Sequence, residues 1–82
     1  MLLRQMQYFA AVVETNSFTE AAERCYISQS AMSQQIRSLE HELGVKLLER
    51  GNRSFTLTVA GEYFYTHCKD VLAAADMLVR GT

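Results

Sequence analysis

The chain is 82 residues long, 49% apolar and 21% charged, with a formal net charge of −1. That length holds one small domain. The balance excludes a disordered tail and argues against a generally polybasic nucleic-acid binder.

The first periodic segment covers residues 2–14, where Leu2 or Leu3, Met6, Phe9 or Ala10, and Val13 recur at helical spacing. Asn16 follows as a stop signal. Ser17 and Thr19 are both candidate N-caps for a second, short helix to residue 25, and Ser17 with Glu20 has capping-box spacing. Its apolar face is Phe18, Ala21, Ala22 and Cys25. Ser28 is a natural N-cap for a third helix over 29–42, with Met32, Ile36, Leu39 and Leu43 as the buried stripe. Gly44 is placed to end it in a left-handed conformation. The opposite face carries Gln29, Ser30, Ser33, Gln34, Arg37 and His41.

Two short helices joined by a tight turn make a helix-turn-helix, with Ile27 expected to plug the junction. On the pattern alone two readings stand: a DNA-reading helix, or an ordinary helical hairpin with a solvated polar face. Residues 48–50 and 55–57 read as a two-stranded hairpin around Gly51 and Asn52. Such a hairpin is marginal alone and must pack on the helices. Beside a helix-turn-helix it is a wing, with Arg50 and Arg53 at or near its tip, able to meet phosphates or a minor groove. Two solvated turn arginines are the plainer alternative.

The last segment, 59–79, starts behind the N-cap Thr58. At the standard rise it spans about 31 Å, long for so small a domain. One stripe runs through Ala60, Phe64, His67 or Cys68, Val71, Ala75 and Leu78. Part of it can pack on the core, and a partner helix is the economical cover for the rest. Folding back fully on its own core is the alternative.

Charge is unevenly spread. Residues 28–53 carry Arg37, Lys46, Arg50 and Arg53 against Glu40, Glu42 and Glu49, whereas both flanks are net acidic. Cys25 and Cys68 fall inside the predicted helices, and His41 and His67 are not grouped with them. That spacing offers no metal site, and nothing else points to an oxidising compartment that would favour a disulfide. The opening stretch is interrupted by Arg4, Gln5 and Gln7, too polar for a signal or membrane segment. A cytoplasmic protein without cofactor is expected. No glycine-rich phosphate cradle follows a strand and no acidic pair has a supporting pocket, so an enzyme is not expected.

The stretch SFTEAAERCYISQSAMSQQIRSLEHELGVKLLER, Ser17 to Arg50, closely resembles the N-terminal domain of LysR-type transcriptional regulators, as does Leu57-Thr58-Val59-Ala60-Gly61, the family's LT-x-AG start of a linker helix. The resemblance covers nearly the whole chain. It implies a mainly α fold: a winged helix-turn-helix, made of a three-helix core and a short two-stranded wing, with a long C-terminal linker helix. Residues 1–57 would be the DNA-binding domain and 58–82 the linker and dimerisation helix, with the C-terminal effector-binding domain absent. A homodimer through antiparallel linker helices is implied, placing two recognition helices in neighbouring major grooves of promoter DNA and the wings in adjacent minor grooves. A small-molecule effector would act only through the absent domain.

Carried over residue by residue, the family's DNA contacts fall on Ser28, Gln29, Ser30, Ser33, Gln34 and Arg37, with Arg53 in the wing. Side-chain chemistry sorts them. Gln29, Ser33, Gln34 and Arg37 are base-contact candidates, because glutamine can pair bidentately with adenine and arginine with guanine. Ser28, Ser30 and Thr19 are phosphate-contact candidates. Ala60, Phe64, Cys68, Val71, Ala75 and Leu78 are the candidate dimer interface. Two departures stand out. Gln34 occupies a position where the family often has arginine, which fits the low net charge and implies a modest salt slope. Leu48 replaces a common phenylalanine, a packing change. The alternative function is a protein-interaction or mixed-dimerisation module of the same fold without independent DNA binding.

Overall fold

The structure, a computed structural model, describes residues 1–52 and 54–81. Its elements are α1 (Leu3–Thr15), α2 (Phe18–Arg24), α3 (Gln29–Leu43), β1 (Leu48–Arg50), β2 (Phe55–Leu57) and α4 (Val59–Arg80). Three helices form a core, a two-stranded antiparallel wing follows, and a long helix closes the chain.

The helix ends are set by local chemistry. α1 stops at Asn16, which adopts the left-handed conformation at φ 54°, a position its short polar side chain tolerates. Ser17 Oγ accepts the Glu20 N–H at 3.1 Å and starts α2. α2 ends through Tyr26, also left-handed at φ 60°, with the Ile27 N–H returning to the Ala22 carbonyl at 3.0 Å. That is the bond pattern of a Schellman cap, usually built on glycine. Tyr26 is 94% exposed, so no side-chain burial offsets its backbone strain. Ile27 packs partly buried against the core at the junction. Ser28 Oγ accepts the Ala31 N–H at 3.0 Å and caps α3, and Gly44 ends it at φ 73°.

The core gathers Phe9, Val12, Ala21, Ala22, Met32, Ile36, Leu39, Leu47 and Leu48. Ala21 and Ala22 let α2 lie close against its neighbours, as small residues permit. Gln5 in α1 is nearly buried, and its amide donates to Gln35 Oε1 of α3 at 3.4 Å. Gln35 therefore serves packing between helices. One expected core position moves: Leu43, the last of the α3 stripe, is 36% exposed, while Leu47 is 1% exposed. The chain turns at Gly44, and the Glu40 carboxylate draws it back by accepting the Leu47 and Leu48 N–H groups at 2.8 and 3.2 Å.

Leu48 pairs with Leu57, Glu49 with Thr56 and Arg50 with Phe55. The hairpin is anchored at its base, where Thr58 Oγ1 donates to the Lys46 carbonyl at 2.6 Å and caps α4 by accepting the Gly61 N–H at 2.9 Å. A Cβ on Gly61 would run into the Leu47 carbonyl, so this residue must be glycine for α4 to lie against the wing base.

α4 has 22 residues and extends about 33 Å. Its apolar stripe divides. The Phe64 ring meets Phe9 edge-on at 5.4 Å, Ala60 packs against the core, and Cys68 is 2% exposed with its thiol donating to the Met6 carbonyl at 3.4 Å. Cys68 therefore has no surface to offer a partner, a correction to its expected place in a dimer interface. The helical repeat that aligns it with Val71 and Ala75 also turns it onto α1. Beyond it Val71, Met77, Leu78 and Val79 are exposed. Among the described residues, no helix is long and apolar enough to cross a membrane.

Candidate nucleic-acid interface

Capping by Ser28 sets the first turn of α3 at the surface. From there Gln29, Ser33 and Arg37 recur every fourth residue, as do Ser30 and Gln34, so they form two adjacent rows on one helix face. Gln29, Ser30, Gln34 and Arg37 are exposed and Ser33 is half-buried. Ser28 Oγ and Ser30 Oγ lie 3.2 Å apart. Either hydroxyl can donate in this pair, and Ser28 Oγ also accepts the Ala31 N–H.

A groove of about 320 Å³ separates the start of α2, the first turn of α3 and the wing, and it gathers Thr19, Gln29 and Arg50 on its walls. The structure thus unites residues from three elements: a helix N-terminus, a recognition-helix candidate and a strand end. Arg53 lies outside the described residues. Gln34 and Arg37 line no wall of this groove and stand on the open face of α3.

Arg50 behaves differently from a hairpin-tip residue. It is the last residue of β1, but its guanidinium lies 4.8 Å from the centre of the Phe18 ring and Nη1 reaches Ser33 Oγ at 3.4 Å. Phe18 in turn meets Phe55 edge-on at 5.2 Å. The arginine is folded back onto α2 by a cation–π contact, and its bond to Ser33 places its charge beside the α3 face. Sequence reasoning missed Phe18 as the shelf for this charge. No local signal could have shown it, because the three residues come from separate elements.

Away from this groove, Glu14 of α1 accepts from Arg24 at 2.8 Å and from the Tyr65 hydroxyl at 3.3 Å. Burial, followed by the charge of Glu14, pushes the Tyr65 hydroxyl above its ordinary range. Burial and then Glu14 push the Cys68 thiol up to about 11. It remains a neutral core group at physiological pH. Cys25 is also raised, mainly by burial.

The profile of a family described as bacterial regulatory helix-turn-helix protein, lysR family, matches residues 3–62. The HTH-type transcriptional regulator BenM of Acinetobacter baylyi is 46% identical over 82 residues, all of this chain and 27% of BenM. AlsR of Bacillus subtilis is 50% identical over 72 residues, 88% of this chain and 24% of AlsR. The chain thus spans about a quarter of the length of these curated relatives. The fold is similar to that in the crystal structure of a BenM_DBD/benA site 1 DNA complex, with a TM-score of 0.92 at 46% identity, covering 98% of this chain and 90% of that one. It is likewise similar to a CbnR_DBD-DNA complex, with a TM-score of 0.92 at 39% identity, covering 98% and 92%. With a profile match over most of its length and a polar-faced third helix held beside a wing, the chain belongs to the lysR family of bacterial regulatory helix-turn-helix proteins.

Proposed function

We propose that this chain binds double-stranded DNA sequence-specifically as a homodimer and regulates transcription, α3 lying in the major groove and the β1–β2 wing in the adjacent minor groove. The observation that carries the reading is the exposed polar face of α3 beside a groove shared with Thr19 and Arg50, in a fold similar to that of BenM_DBD in its DNA complexes. It acts as a regulator and not as an enzyme. Gln29, Ser33, Gln34 and Arg37 meet base edges. Thr19, Ser28 and Ser30 hold phosphates, aided by the α3 N-terminus. Arg50 and Arg53 serve from the wing.

Residues 1–57 act as the DNA-binding unit and 58–82 as the linker. Dimerisation uses the distal half of α4, where Val71 and Leu78 are exposed and Ala75 is half-buried. The relatives are about four times as long. A small-molecule effector acts through a domain beyond this segment, and the protein works in the cytoplasm.

Selection from a random duplex library, followed by titration on substituted duplexes, tests this. Gln29→Ala and Gln34→Ala are expected to change base preference. Equal losses on every duplex would count against direct readout. A demonstrated dimer that binds no duplex at low salt would favour an interaction or mixed-dimerisation module instead.

A further inference from the structure

A second groove, of about 500 Å³, lies on the far side of the α3 face, between its C-terminal turns and the turn that follows Gly44. Arg37, His41, Lys46 and Arg50 line it, with Glu40 as its one carboxylate. That carboxylate faces the chain, because Oε2 accepts the Leu47 and Leu48 N–H groups. Three residues of formal positive charge therefore line this groove against one carboxylate, a formal surplus of two. In a chain of net charge −1 this is a marked local concentration.

Its position follows from helix geometry. Arg37 and His41 continue the row that begins with Gln29 and Ser33. From Gln29 to His41 that row runs about 18 Å, against a major groove about 12 Å wide. A helix that places Gln29–Gln34 among the bases carries His41 beyond the groove edge, where the wall is phosphate. Lys46 stands beside it on a pinned backbone, since its carbonyl accepts the Thr58 hydroxyl at 2.6 Å. Among the described residues no ion pair occupies Arg37, His41 or Lys46. Arg50 lines both this groove and the one beside Thr19, so the two share one arginine.

We infer that His41, near the C-terminal end of α3, and Lys46, in the turn that follows it, bind the DNA phosphate backbone bordering the major groove, with Arg50 completing the site. The inference rests on the DNA-binding reading above. It supplies a phosphate contact away from position 34, where Gln34 has no charge to give. The contact is blind to sequence, because phosphates are the same at every step.

The test uses the unmodified chain, Lys46→Gln, Lys46→Arg and His41→Gln, titrated by fluorescence anisotropy at several salt concentrations. The probes are the duplex recovered by selection and a scrambled duplex of equal length. Lys46→Gln is expected to weaken both duplexes by the same factor, about threefold at low salt, and to reduce the slope of log K on log salt by about one per protomer. Lys46→Arg keeps the slope, and His41→Gln loses affinity equally on both duplexes without changing base preference. An unchanged slope in Lys46→Gln, or a loss confined to the selected duplex, overturns the phosphate site. If the unmodified chain binds the selected duplex and Lys46→Gln keeps its slope, only this site falls. If the unmodified chain binds neither duplex, the DNA-binding reading falls and takes this site with it.

Discussion

The two halves of α4 share one helix, one periodicity and one kind of side chain, yet they meet opposite surroundings. Ala60, Phe64 and Cys68 are spent on the core of their own chain. Val71, Met77, Leu78 and Val79 carry the same hydrophobicity into solvent. The difference arises because the core beneath α4 is short: Phe9 and Met6 of α1 supply contacts to Phe64 and Cys68, and the helix then outruns its support. An apolar stripe reports that a surface will be covered, and leaves open whether a chain covers it with itself or with a partner.

Substitutions that separate the halves give the sharpest tests. Phe64→Ala is expected to cost the most, about 3 kcal/mol of unfolding free energy, because it empties an aromatic contact against fully buried Phe9. Denaturant titration reads this, and a loss below about 0.5 kcal/mol, the range of a neutral surface change, would mean that the proximal half is not core.

Gly61→Ala follows at about 2 kcal/mol, since the added methyl meets backbone carbonyl rather than a flexible side chain. A melting temperature equal to the parent's would deny the close approach.

Cys68 gives a smaller effect that depends on pH. Its folded thiol is raised to about 11 from an ordinary 9.0, first by desolvation and then by Glu14. The unfolded thiol therefore ionises first as pH rises. Its contribution is fully present below pH 9 and is lost as pH climbs through about 11. The parent's denaturation midpoint should fall more steeply over that window than that of Cys68→Ala. Parallel profiles would show that the thiol is not buried in solution.

The distal half closes the series. Val71→Glu combined with Leu78→Glu should leave the stability of the monomer within about 0.5 kcal/mol while abolishing the dimer in sedimentation. An unchanged dimer would move the interface elsewhere.

Most of the fold was legible because its signals are local. Asn16, Ser17, Ser28, Gly44 and Thr58 mark helix ends through their own backbone and hydroxyl chemistry. Strands 48–50 and 55–57 stand where alternation and Gly51 put them. The candidate site was legible in outline, since Gln29, Ser30, Gln34 and Arg37 follow one helix face. It was incomplete where distant elements meet. Arg50 reads as a tip residue until Phe18 and Ser33 hold it back against α3. Lys46 and His41 become neighbours only when the chain turns at Gly44.

The amino-acid sequence by itself determined the order of helices and strands, their caps and the polar character of the α3 face, since periodicity and capping act within a few residues. Tertiary structure decided which half of the α4 stripe is core, why Leu47 is buried where Leu43 is not, and where the cationic charge gathers. Those outcomes depend on which surfaces lie opposite, and spacing along the chain does not encode that.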